Sequence, residues 1–158
     1  MAMCGLFMMT EKEVYRNEAI EMMEKILHWT GEGSSELGRP ELSGAEPVSS
    51  LAVPMCVLSL VTMMKDLGWS RPRLEQECIK EILSHAVRGG DMVLETVSKE
   101  GGEEVDGVAG RMVNPGHVIE CGWFLLDWAK RYKLLIVKVN KHSKSKVLNI
   151  NTVFFVSC

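Results

Sequence analysis

Apolar positions along this chain fall into two alternating kinds of run. Between Glu11 and Trp29, the residues Ala19, Met22, Met23, Ile26, Leu27 and Thr30 recur near i, i+3, i+4, i+7 spacing, with Glu18, Glu21 and Lys25 on the other side. That period predicts an amphipathic helix. Thr10, with Glu13 three residues on, makes a candidate capping box, and Gly31 and Gly33 mark the helix end. Ser34 to Ser50 is rich in Gly, Ser and Pro and predicts a long loop. Leu51 to Leu67 is apolar on every side, which predicts a helix buried all round and stopped by Gly68. Ser70 and Pro72 open another amphipathic helix, with Leu74, Cys78, Ile79, Ile82 and Leu83 inward, Glu75, Glu77, Lys80 and Glu81 outward, and Gly89-Gly90 at its end. Met92 to Val97 reads as a short strand, and Glu100 to Gly110 as a polar, glycine-rich loop. Asn114 to Tyr132 is a second wholly apolar helix, with Asn114 as N-cap and Pro115 at the first helical position. Alternation of amphipathic and all-apolar helices fits outer helices wrapped round an inner ring, and equally any large helical protein.

Beyond Tyr132 the pattern changes. Leu134 to Val139 and Val147 to Val156 are β-branched and aromatic, and Lys138 to Lys146 is a lysine/serine run. From Trp128 onward there is no Asp or Glu against seven Lys or Arg. The expectation is a divergent basic tail over 132–158, β-like or without fixed structure, after a helical domain over 1–131.

Composition narrows the function classes. With 158 residues and 46% hydrophobic residues, the chain holds enough apolar material for one packed domain. A net charge of −3 carries no basic surface overall, so nucleic acid is not an expected partner. The five cysteines are scattered without a CxxC pair, which argues against zinc and against a disulfide framework and fits a reducing, cytoplasmic setting. Met1 to Met9 is apolar but lacks a basic leader region, so no secretory signal is expected. Pro47 to Met64 is uncharged, yet it holds two prolines, three serines and a threonine; a buried helix is expected there, and no membrane partner.

The candidate chemistry lies in Asn114-Pro115-Gly116-His117-Val118-Ile119-Glu120. His117 falls in the first turn of the second apolar helix, and Glu120 lies one turn on, on the same face. Burying both is costly unless they pair or meet a ligand. The positive helix end disfavours imidazolium, while Glu120 favours it and can fix the ring tautomer. Such a histidine suits proton transfer near neutral pH, and also suits a satisfied core position. His28 and His85 read as surface or boundary residues, and His142 as solvated. Arg39, in Leu37-Gly38-Arg39-Pro40, is a candidate for holding a hydroxyl-rich or anionic ligand, as is Arg111.

The runs Tyr15-Arg16-Asn17-Glu18-Ala19-Ile20-Glu21-Met22-Met23, Leu37-Gly38-Arg39-Pro40, Leu51-Ala52-Val53-Pro54-Met55 and Asn114-Pro115-Gly116-His117 through Gly122-Trp123-Phe124-Leu125-Leu126 resemble the N-acylglucosamine 2-epimerase (renin-binding protein) family in one register from Met1 to about Arg131. The resemblance implies an all-α fold, part of an (α/α)6 barrel or toroid of helical hairpins, incomplete here with five candidate helices. It implies interconversion of N-acetylglucosamine and N-acetylmannosamine by ring opening, C2 deprotonation and reprotonation on the other face. His117 then matches a catalytic histidine and Glu120 its orienting carboxylate, with Arg39, Asn114 and Trp123 as substrate-binding residues. A second catalytic histidine of the family lies downstream of the motif and has no match in this sequence. The resemblance implies no required cofactor or metal, a nucleotide such as ATP as effector, a homodimer, and renin as a possible protein partner. A non-catalytic binding module and a disaccharide 2-epimerase are the competing readings. A leucine zipper at Leu51 is not expected, because the heptad runs Leu51, Leu58, Lys65, Pro72 and breaks at the lysine.

Overall fold

The computed structural model describes residues 1–38 and 46–132. Over these it is mostly helical: α1 (Ala2–Thr10), α2 (Glu13–Thr30), α3 (Ala52–Met64), α4 (Pro72–Ser84) and α5 (Pro115–Arg131). Two small antiparallel ribbons join them, one pairing β1 (Val48–Ser50) with β4 (Thr96–Ser98), the other pairing β2 (Ala86–Val87) with β3 (Met92–Val93). The expected strand near Met92 to Val97 is therefore two short strands in different ribbons, and the expected loop before Leu51 ends in β1. The tail expected over 132–158 lies outside the described residues apart from Tyr132.

The core gathers on α3. Leu51, Leu58 and Val61 are fully buried, with Met55 and Met64 nearly so. The helix packs against α2, α4 and α5 at once, which is why its sequence shows no polar face. Burial is not complete, since Val53 and Cys56 are exposed. On α5, Cys121, Leu125 and Ala129 face α3, while Ile119 at 73%, Trp123 at 69% and Leu126 at 44% stay open to solvent. No helix among the described residues is long and apolar enough to cross a membrane.

Local chemistry at the helix ends departs from expectation in two places. The Thr10–Glu13 capping box does not form. Thr10 ends α1, its hydroxyl donating to the Leu6 carbonyl at 2.6 Å, and Lys12 is the N-cap of α2 with no side-chain cap bond. The amphipathic helix opened by Pro72 stops at Ser84 rather than at Gly89-Gly90, and the chain turns into β2. Asn114 caps α5 as expected: its side-chain oxygen accepts from the His117 backbone N–H at 3.3 Å, with Pro115 just inside the helix.

Two polar residues assigned to the surface are in the core. Glu75, expected outward, is 1% exposed, and its carboxylate accepts from Trp128 Nε1 at 2.9 Å, the Tyr132 hydroxyl at 2.6 Å and Lys65 Nζ at 2.9 Å. Its Oε2 takes these three hydrogen bonds, and Lys65 Nζ also lies 2.9 Å from Oε1, so the ammonium sits astride the carboxylate. Glu75 thereby ties α4 to the far end of α5 and to the turn after α3. His85, expected at the surface or boundary, is fully buried. Both lie on the stripe of Cys78, Ile79 and Ile82 at helical spacing, so the period places them inside despite their polarity.

Candidate active site

His117 and Glu95 form the centre of the site. His117 sits in the first turn of α5, held by the Asn114 cap; its ring Nδ1 lies 2.8 Å from Glu95 Oε2. The histidine side chain is 33% exposed and the glutamate 13%, so one edge of the imidazole reaches solvent while the carboxylate stays mostly covered. A carboxylate accepts only, so the neutral ring donates its Nδ1 proton to Glu95 and keeps the lone pair on Nε2.

The backbone holds Glu95 on both sides. Its carbonyl accepts from the Leu51 N–H at 2.9 Å, at the start of α3, and its own N–H donates to the Met112 carbonyl at 2.9 Å, just before α5. Ser50 Oγ makes a longer contact of 3.5 Å to the other carboxylate oxygen. The preceding residue is fixed by His85. The Leu94 N–H donates to the His85 carbonyl at 3.0 Å, and His85 Nδ1 donates to the Leu94 carbonyl at 2.8 Å. All four backbone polar groups of Leu94 and Glu95 are therefore engaged. The loop that leads back toward α5 also needs Gly110, because a Cβ there would lie 1.7 Å from the Val105 carbonyl oxygen.

His85 is thus a structural residue under the site. On its other side, Nε2 lies 3.2 Å from Ser49 Oγ, and that hydroxyl donates to Glu81 at 2.6 Å. Burial pushes its pKa below the ordinary 6.5, against the Leu94 carbonyl and the charges of Glu81 and Glu95, which pull it up. The unfolded chain then binds more protons than the folded one in the interval below 6.5. The contribution of His85 to stability is present above that value and is lost as pH falls toward the lowered folded value. Thermal melts should show Tm falling through this interval, and His85→Leu should flatten the fall while lowering stability at neutral pH by about 2 kcal/mol, since the Leu94 carbonyl loses its partner. An equal pH slope in wild type and His85→Leu would contradict this assignment.

The residues named from sequence are placed as follows. His117 and Asn114 come together, with the Asn114 side chain used as the helix cap. Glu120 is exposed and, among the described residues, makes no hydrogen bond with His117. Three residues fall about 0.6 of a residue short of a full turn, which rotates Glu120 about 60° from His117. In this structure the carboxylate on the imidazole is that of Glu95. Trp123 continues the exposed side of α5. Arg39 and His142 lie outside the described residues. His28 is half-exposed and meets Glu36 at 2.9 Å, a surface contact as expected. Cys78 and Cys121 are pushed up to about 12 by burial, and Cys56 is also raised, chiefly by burial and then by the Glu120 charge. None of these three thiols is set up as a nucleophile.

Known proteins of one kind are similar to this chain over most of its length. Mouse (Mus musculus) N-acylglucosamine 2-epimerase is 47% identical over 135 residues, covering 83% of this chain and 32% of the mouse protein. The chain belongs with the N-acylglucosamine 2-epimerases. The cattle (Bos taurus) enzyme of that name is 47% identical over 133 residues, covering 82% of this chain and 31% of its own length, and the human (Homo sapiens) enzyme is 46% identical over 130 residues, covering 80% and 30%. The chain thus spans about a third of the length of these curated relatives. No family model matches it.

Proposed function

We propose that this chain is the part of an amino-sugar 2-epimerase that supplies one of its two proton carriers, His117. The observation that carries the reading is the Glu95–His117 pair at the start of α5, part-open to solvent, in a chain 47% identical to an enzyme named for 2-epimerisation of N-acylglucosamine. Inverting C2 requires the sugar to open to its aldehyde, so that the C2–H bond lies beside a carbonyl. His117 Nε2 takes the C2 proton, and the C–H electron pair passes into an enolate over C1 and C2. A second carrier on the opposite face returns a proton to C2, giving N-acetylmannosamine from N-acetylglucosamine or the reverse. No metal takes part in this scheme. Five helices with α3 enclosed on several sides fit a sector of an α/α toroid, whose remaining hairpins would cover Ile119, Trp123 and Leu126. A cytoplasmic setting, which the scattered cysteines also fit, belongs to the same reading, as do a role in amino-sugar metabolism, a nucleotide effector and a homodimer, which rest on the resemblance.

The test is a chimera in which residues 1–131 replace the matching third of the mouse enzyme. The chimera should interconvert the two sugars, and residues 1–158 alone should not, because the scheme needs two carriers and His117 is one. A folded chimera without turnover would refute the reading, and conversion by residues 1–158 alone would refute the two-carrier assignment.

A further inference from the structure

We propose that Glu95 is the positioning residue of His117: it holds the imidazole as the Nδ1–H tautomer and so makes Nε2 the atom that exchanges protons. The inference joins three observations. Glu95 Oε2 lies 2.8 Å from Nδ1, within the range of a charge-assisted bond. The glutamate is 13% exposed, and its backbone is pinned to the segments that start α3 and α5, so the acceptor stays in place without help from substrate. Glu120, the carboxylate three residues along α5, is exposed.

Energetics favour the assignment. A free imidazole prefers its proton on Nε2 only slightly. A hydrogen bond to a charged acceptor is worth about 1.5–3 kcal/mol and outweighs that preference. The consequence for chemistry rests on the reading under Proposed function. Nε2 carries the lone pair that accepts the C2 proton, and the imidazolium so formed keeps its Nδ1–H bond to Glu95, which stabilises the positive charge. Glu95 touches no substrate atom in this scheme and acts through His117. The peptide joining Leu94 to Glu95, clamped by His85, is the mount.

Ring-nitrogen NMR of 15N-histidine-labelled residues 1–158 near pH 7.5 tests the proposal without any assay of turnover. Wild-type His117 should show a protonated Nδ1 and a bare Nε2. Glu95→Ala should let the proton average between the two nitrogens as in free imidazole, Glu95→Gln should retain it on Nδ1 because the amide oxygen still accepts, and Glu120→Ala should change nothing. The Nδ1–H of His85, bonded to the Leu94 carbonyl, reports in each sample whether the fold under the site is intact. A wild-type His117 with its proton on Nε2, or averaged as in free imidazole, overturns the proposal. So does a tautomer unchanged in folded Glu95→Ala, or altered by Glu120→Ala. If Glu95→Ala loses the His85 signal, the wild-type, Glu95→Gln and Glu120→Ala spectra still decide. The expected tautomers together with an inert chimera would leave Glu95 as assigned and sink only the epimerase reading.

Discussion

His117→Ala, placed in the mouse-enzyme chimera that carries residues 1–131, should lower turnover by at least about 10²-fold, the usual worth of a positioned acid/base group. The loss falls on kcat more than on KM, because the imidazole acts on the C2 proton rather than holding the sugar in the ground state. The Asn114 cap uses the His117 backbone N–H, which alanine retains, so α5 should start where it does now. His28→Ala is the matched control: its ring is half-exposed, meets Glu36 at the surface, and should leave turnover unchanged. Steady-state kinetics in both directions with a melt of each variant make the comparison. Turnover within a few-fold of wild type in a folded His117→Ala chimera would return His117 to a purely structural role.

Glu75→Ala should be among the most destabilising single changes in the described part of the chain, at about 3 kcal/mol. Removing the carboxylate leaves Trp128 Nε1 and the Tyr132 hydroxyl without their acceptor and leaves Lys65, 21% exposed, without its partner. Lys65 can turn toward water, so its share is smaller than that of a sealed charge. The rest is the cost of unsatisfied donors and of the cavity left by the side chain. Glu77→Ala, two residues on and 58% exposed, should stay within about 0.5 kcal/mol of wild type. Denaturant melts of the two variants separate the cases, and a Glu75→Ala cost below about 1 kcal/mol would mean that the cluster at the end of α5 is ornamental.

Local patterns in the sequence were enough for α2, α3, α4 and α5 and for the cap before His117, while α1 was marked by no such pattern. Asn114-Pro115 announces the start of α5 because a cap acceptor and a fixed φ act within three residues, and the structure uses both. The all-apolar run of α3 likewise reports its packing against three other helices. Polarity points Glu75 and His85 outward while period points them in: with Cys78, Ile79 and Ile82 they complete one face of α4 and its end, and only a partner inside makes such burial tolerable. Those partners, Trp128 and the Leu94 carbonyl, lie far along the chain or in a turn, out of reach of any window count. Glu95 was missed for the same reason. Nothing near it in sequence marks it, and its role comes from an extended segment bonded to Leu51 and Met112, which brings a carboxylate to a ring 22 residues away. A helical spacing rule chose Glu120 because it sees only one element. The capping box at Thr10 fails where two helices meet so closely that the hydroxyl is spent on closing α1.

The central claim, that His117 carries the C2 proton on one face of the sugar, is tested most directly by hydrogen exchange at C2. The chimera and its His117→Ala variant are incubated in D2O, separately with N-acetylglucosamine and with N-acetylmannosamine, and deuterium at C2 is followed by NMR. With His117 present, both sugars should take up deuterium as they interconvert. Without it, epimerisation should stop, while the remaining carrier on the opposite face still exchanges the C2 hydrogen of one sugar and leaves the other untouched. Exchange of both sugars at the wild-type rate after loss of His117, with the fold intact, would contradict the account.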